Sequence, residues 1–139
     1  VFQKFFRYNA NIKWPVSPYS IISCSNNIEF DPDDMQNFWH YGCYYQNFSA
    51  KIIIGKGTYI APNVGLITAN HDKSNLDEHD SGQDITIGEN CWIGMNSVIL
   101  PGVTLGDRTI VGAGSIVTKS FLEGNCIIVG NPAHKRGEI

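Results

Sequence analysis

The sequence is sparing with charge: Asp, Glu, Lys and Arg supply 17% of 139 residues and leave a formal net charge of −3. A weakly acidic chain lacks the basic surface that general nucleic-acid or anionic-membrane binding requires. No apolar run approaches the roughly 20 residues that span a bilayer. Four cysteines (Cys24, Cys43, Cys91, Cys126) lie far apart and none forms a CxxC. The chain opens on Val1 with no Met and no signal-peptide core, so it reads as a fragment whose true N-terminus lies upstream. Reduced thiols without an export signal place it in the cytoplasm. Gly112-Ala113-Gly114 has no helical pattern after it, which removes the dinucleotide-binding reading of a glycine-rich loop.

What the sequence has is a period. Phe48, Ile54, Ile60 and Leu66 fall six apart, and Ile87, Ile93, Ile99, Leu105, Val111 and Val117 continue the spacing without a break. Gly or Ala often follows (Gly55, Ala61, Gly88, Gly94, Gly106, Gly112). A small or β-branched residue usually stands four along (Ile52, Thr58, Val64, Cys91, Ser97, Val103, Thr109, Ser115). Neither a helix nor a plain strand has this period. A hexapeptide repeat does: one short strand plus a turn per hexad, three hexads to each triangular coil of a parallel β-helix. The aliphatic residue is expected to point into the prism. The glycine beside it is expected to turn the corner at positive φ, where it has no Cβ penalty. Cys91, in the small slot, is expected to be a buried reduced thiol.

The fold class is therefore all-β, in a single domain over 1–139. Residues 1–47 lack the hexad phase and are rich in aromatics (Phe5, Phe6, Tyr8, Trp14, Tyr19, Phe30, Phe38, Trp39, Tyr41, Tyr44, Tyr45), the composition of an irregular cap over the open end of the helix. Within it, Asp31-Pro32-Asp33-Asp34 fits either a short helix capped by Asp31 or a coil corner. Residues 48–122 are the repeat region, interrupted by a polar loop, 71–86, that carries five acids and breaks the phase. A solenoid does not need such an insertion, so function is expected there. Residues 123–139 form the tail.

The order and spacing of several motifs carry a family resemblance. They are Ile54-Gly55, Ile60-Ala61-Pro62-Asn63-Val64, Asn70-His71-Asp72, Ile87-Gly88-Glu89-Asn90-Cys91-Trp92-Ile93-Gly94, Leu100-Pro101-Gly102-Val103, Gly112 through Lys119, and Gly130-Asn131-Pro132-Ala133. Over about Ser49 to Lys135 the chain resembles the hexapeptide-repeat acyltransferases, in the branch of the galactoside, maltose and xenobiotic O-acetyltransferases. The resemblance implies a left-handed β-helix, a homotrimer, and acetyl-CoA as acyl donor in the groove between subunits, with no metal.

It also implies roles. His71 stands where these enzymes keep a catalytic histidine, and imidazole, with an ordinary pKa near 6.5, suits a base that takes a hydroxyl proton during direct attack on a thioester. Asp72 and a backbone carbonyl are both candidates to orient its other nitrogen. Trp92, Gly94 and Met95 match the pantetheine wall, where a main-chain N–H could meet a developing oxyanion. Some relatives have Ser at the Met95 position, so a hydroxyl donor is absent here. Ala61 and Ala113 match backbone contacts to the cofactor. Lys119, which follows the cofactor-side candidate Thr118, and Lys135 and Arg136 after the Gly-Asn-Pro-Ala turn supply the local positive charge that coenzyme A needs.

Tyr41, Ser49 and Asp72 are the acceptor-side candidates. Tyr41 and Ser49 replace the Asn and Asp of galactoside-specific relatives, which removes support for a galactoside or maltose acceptor. The acids of the loop disfavour a strongly anionic one. The expected function is acetyl-CoA-dependent O-acetylation of a sugar or polysaccharide precursor. N-acetylation of an amino sugar and a non-catalytic assembly module are the alternatives. A zinc hydratase on the same scaffold needs closely spaced histidines, a pairing that His40, His71, His79 and His134 do not make. Serine acetyltransferase would need a helical N-terminal domain.

Overall fold

Each hexad lays down a strand of two or three residues, and three hexads close one coil of a parallel β-helix. The computed structural model describes residues 9–139, so Phe5, Phe6 and Tyr8 lie outside the described residues. The first face stacks β1 (Ile21–Ile22), β3 (Tyr44–Gln46), β6 (Gly65–Ile67), β9 (Val98–Ile99) and β12 (Ile116–Val117). The second stacks β2 (Ile28–Glu29), β4 (Ile52–Ile54), β7 (Ile85–Ile87) and β10 (Thr104–Leu105). The third stacks β5 (Tyr59–Ile60), β8 (Trp92–Ile93), β11 (Ile110–Val111) and β13 (Cys126–Gly130), and ends on β14 (Ala133–Glu138). Among these strands only β13 and β14 pair antiparallel. No helix among the described residues is long and apolar enough to cross a membrane.

The inward aliphatics form three columns: Leu66, Ile99 and Val117; Ile54, Ile87 and Leu105; Ile60, Ile93, Val111 and Ile128. None is more than 3% exposed. Each contributes about 1.5–3 kcal/mol of burial. The small slot four along is buried throughout, Cys91 included, and burial pushes the Cys91 thiol pKa up. Where that slot holds a hydroxyl, the hydroxyl donates to a nearby corner carbonyl: Thr58 to Gly88 at 2.7 Å, Thr109 to Gly106 at 2.6 Å, Ser115 to Gly112 at 2.6 Å.

Two expectations are corrected. The glycine directly after the aliphatic does not turn the corner. Positive φ falls three residues after it, at Gly57, Asn63, Asn90, Asn96, Gly102, Arg108 and Gly114. The glycines beside the aliphatics instead serve close stacking: a Cβ on Gly55 would lie 2.4 Å from the Gly88 carbonyl carbon, and one on Gly106 2.4 Å from the Leu122 carbonyl oxygen. Phe48 also fails to point inward; it is 42% exposed. Nine positions separate inward Tyr45 from inward Ile54, where Ile99 and Leu105 are six apart. The three extra residues bulge from the corner and carry Phe48 out.

The irregular N-terminal stretch contributes strands of its own. Its ladder starts at Ile21, and a 3₁₀ helix, Pro32–Phe38, stands where the third face lacks a strand. Asp31 caps that helix by accepting from the Asp33 amide at 2.9 Å, which settles the choice between helix and corner. Buried Asn37 does a strand's work there: its Nδ2 donates to the Thr58 carbonyl and its Oδ1 accepts from the Ile60 amide, both at 2.8 Å. Trp14, Phe30, Phe38 and Tyr45 fill the prism at this end, with ring centroids 4.6–5.7 Å apart. At the other end the tail adds β13 to the third face before β14 turns back over it.

Candidate active site

Most of the residues singled out from the sequence fall on two prism edges, while Trp92 lies on the third face and Lys135 and Arg136 on β14. Ala61, Gly94, Met95 and Ala113 lie on the edge where the third face turns into the first; Ser49, the His71 loop, Thr118 and Lys119 lie where the first turns into the second. Tyr41 belongs to the former edge, lining an open groove of about 550 Å³ with Tyr19, Trp39 and Pro62, so it does not meet Ser49 within one chain.

On the first of these edges four positions are bare, beside larger neighbours such as Pro62 and Met95. Ala61, Gly94, Ala113 and Gly114 carry no more than a methyl, and a Cβ on Gly114 would meet nothing within 4 Å. An extended thioester arm could lie directly against this backbone. The Gly94 N–H, however, donates to the Val111 carbonyl at 2.8 Å, and a Cβ on Gly94 would strike the Ala113 amide at 2.6 Å. That glycine serves coil stacking, and its amide is committed to the ladder rather than open to an oxyanion. Trp92 stands exposed on the third face beside Tyr59, its register partner. Sequence reasoning did not single out Tyr59, although it precedes Ile60 as Trp92 precedes Ile93 and so shares the outward slot.

On the other edge, the loop is rooted by a buried amide. The Gln46 Oε1 accepts from the Thr68 and Ala69 amides, both at 2.9 Å, and its Nε2 donates to the Ala69 carbonyl at 3.0 Å. The return limb is rooted at Gln83, whose amide donates to the Thr68 carbonyl at 2.8 Å, and at Gly82, which packs so closely on Ser49 that a Cβ would lie 2.5 Å from its Oγ. Between these roots a short antiparallel bridge joins His71 to His79.

The His71 ring is exposed, and its Nδ1 sits 2.7 Å from the Leu76 carbonyl oxygen. A carbonyl only accepts, so Nδ1 carries the hydrogen and neutral imidazole keeps its lone pair on Nε2. Of the two candidates to orient the ring, the backbone carbonyl does so. Asp72 is otherwise engaged: its Oδ1 accepts from the Ser74 hydroxyl and from the Ser74 and Asn75 amides, closing the turn. The Ser74 hydroxyl and amide, then the Asn75 amide, hold the Asp72 carboxyl below the ordinary range. These bonds engage Oδ1 alone, so an acceptor contact from Asp72 would fall to its Oδ2.

The cations differ in availability. Lys119 is exposed and lies over the Phe121 ring, 5.6 Å from its centroid. Lys135 is tied to Glu138 at 3.3 Å and Glu123 at 3.8 Å, while Arg136 on β14 is exposed.

Comparison with known proteins agrees with this geometry. Residues 84–119 match the family model described as bacterial transferase hexapeptide (six repeats). The galactoside O-acetyltransferase of Escherichia coli is 41% identical over 106 residues, covering 69% of this chain and 51% of the relative. A galactoside acetyltransferase solved in complex with coenzyme A superposes with a TM-score of 0.73 at 32% identity, covering 91% of this chain and 62% of that one. A hexapeptide-repeat acetyltransferase of Vibrio cholerae, solved with acetyl coenzyme A, gives a TM-score of 0.65 at 29% identity, covering 70% and 54%. The chain spans about half to three fifths of the length of the curated relatives it matches. The repeat-model match and these relatives, in keeping with the stacked hexads and three parallel faces, place the chain in the hexapeptide-repeat transferase family.

Proposed function

We propose that this chain is the repeat portion of an acetyl-CoA-dependent O-acetyltransferase acting on a hydroxyl of a sugar or polysaccharide precursor, with His71 as general base. The observation that carries the reading is the 2.7 Å contact of His71 Nδ1 with the Leu76 carbonyl, which leaves Nε2 as the basic nitrogen of an exposed ring. Acetyl-CoA supplies the thioester carbonyl. His71 Nε2 takes the acceptor's proton as its oxygen bonds to that carbonyl carbon, and gives it to the sulfur as the carbon–sulfur bond breaks. Coenzyme A and acetyl coenzyme A in the two solved relatives support the donor assignment. Trp39 and Tyr41 offer exposed rings on which an apolar sugar face can stack.

The reading includes a left-handed winding and a homotrimer. Two outward ladders support the trimer: Ile21, Tyr44, Val98 and Ile116 on the first face, Tyr59, Trp92, Ile110 and Ile127 on the third. Their exposed members suit burial against a partner. A trimer also allows the bare edge of one subunit to face the His71 edge of the next, joining the two halves of the site. Residence in the cytoplasm is part of the same reading, in keeping with four free thiols.

The test is release of coenzyme A thiol from acetyl-CoA with a panel of sugars, amino sugars and nucleotide sugars. His71→Ala is expected to lower turnover by roughly 10²–10⁴-fold with coenzyme A affinity unchanged. Full activity in that variant would end the general-base assignment.

A further inference from the structure

We infer that His79 is the positioning residue for His71, backed by Phe48; the inference rests on the general-base reading above. His71 stands on an exposed loop, and its one ring hydrogen bond, to the Leu76 carbonyl, is lost whenever the ring swivels about its Cβ–Cγ bond out of that plane. The His79 ring removes the swivel. Its centroid lies 4.2 Å from that of His71 with the planes 32° apart, a tilted stack. The contact is built into the backbone: the two residues are opposite partners of an antiparallel bridge, which sets their side chains side by side. Asp72 N to the Glu78 carbonyl at 3.0 Å and Asp80 N to the Asn70 carbonyl at 2.9 Å hold that bridge closed on either side.

Behind His79 stands Phe48, edge-on at 4.9 Å and 70°. Phe48 belongs to the corner preceding β4, one coil away from the loop. Its exposure there, forced by the three-residue bulge, has a use: it is the footing that ties the loop's ring stack to the rigid prism. The sequence places Phe48, His79 and His71 at unrelated spacings, and the fold lines them up in one column. A near-attack geometry is sensitive to displacements of the order of 1 Å, so the plane of the base is worth holding.

The experiment uses the full chain in four forms, wild type, His79→Ala, His79→Phe and Phe48→Ala, each checked for an unchanged melting transition. Turnover with acetyl-CoA and the best acceptor is measured beside ¹⁵N spectra of the His71 imidazole. His79→Ala is expected to lower kcat about tenfold or more, with KM for acetyl-CoA within twofold, and to replace the single Nδ1–H tautomer signature of His71 with an averaged one. His79→Phe, which keeps a ring in place, should restore both readouts to within about threefold of wild type, and Phe48→Ala should fall between. Wild-type kcat and an unchanged His71 spectrum in His79→Ala would overturn the inference, as would failure of the phenylalanine to rescue. If His71→Ala itself keeps full activity the general-base reading falls, and the ¹⁵N comparison still decides whether His79 fixes the ring.

Discussion

Gln46 and Thr68 grip each other at three points: the Thr68 amide donates to the Gln46 Oε1 at 2.9 Å and to its carbonyl at 3.1 Å, and the Thr68 hydroxyl donates to that same carbonyl at 2.7 Å. The grip lies three residues upstream of His71, so the candidate base leaves the prism from a fixed point.

Gln46→Leu keeps the volume and both bonds to the Gln46 main-chain carbonyl, but removes the side-chain amide, leaving the amide and carbonyl of Ala69 without their side-chain partners. A loss of about 1–3 kcal/mol in urea unfolding is expected, with faster tryptic cleavage at Lys73 in the folded state. Unchanged stability would mean that water replaces the amide at no cost.

The two kinds of glycine should respond differently. Gly94→Ala places a methyl 2.6 Å from the Ala113 amide and should cost about 1–3 kcal/mol. Gly114→Asn enters open space at a φ of 72°, a conformation that Asn63, Asn90 and Asn96 already adopt in equivalent positions, and should cost less than about 1 kcal/mol. Equal costs would return the corner-turning role to the residue after the aliphatic.

Asp72 sets an acid limit on the loop. Its folded pKa is depressed, so the capping contribution is complete above the ordinary carboxylate value of 3.8 and is lost as pH falls through the lower folded value. The Ser74 and Asn75 amide resonances should titrate together below pH 3.8, and Asp72→Ala should abolish that titration. Titration at or above the ordinary value would contradict the cap.

Under the proposed donor assignment, Lys119, exposed and with no carboxylate ion pair among the described residues, is expected to meet the anionic donor. Lys119→Ala should raise KM for acetyl-CoA about fivefold, the size of an exposed charge contact, and leave KM for the acceptor nearly unchanged. The opposite order would place Lys119 on the acceptor side.

The prism was legible because a six-residue period in Ile, Leu and Val records a geometric constraint that recurs in every coil. The same period marked the loop by its interruption, while His71 was singled out within it only by the family resemblance. Where the constraint did not recur, the sequence was mute. Asn37 replaces peptide groups where a strand is missing and Gln46 holds those at the root of the loop, and a buried amide has no periodic signature. Phe48 kept the phase by coincidence while three inserted residues turned it outward. Gly94 matched the family pattern and still gave its amide to the coil ladder. His79 had no signal at all, because its link to His71 exists only once the loop has closed.

The site of the interruption also bears on how the chain folds. Pairing Ile99 on Val117 closes 18 residues, while pairing Leu66 on Ile99 must close 33 because the loop intervenes. Loop-closure entropy grows only with the logarithm of length, so the longer closure costs roughly 0.5 kcal/mol more than the shorter. Coils on either side can propagate one from the next as if the loop were nearly absent. The corner between the first and second faces is thus a place where chain can be lengthened, shortened or exchanged at small thermodynamic cost, and the specificity of the loop can drift while the prism that carries it stays the same.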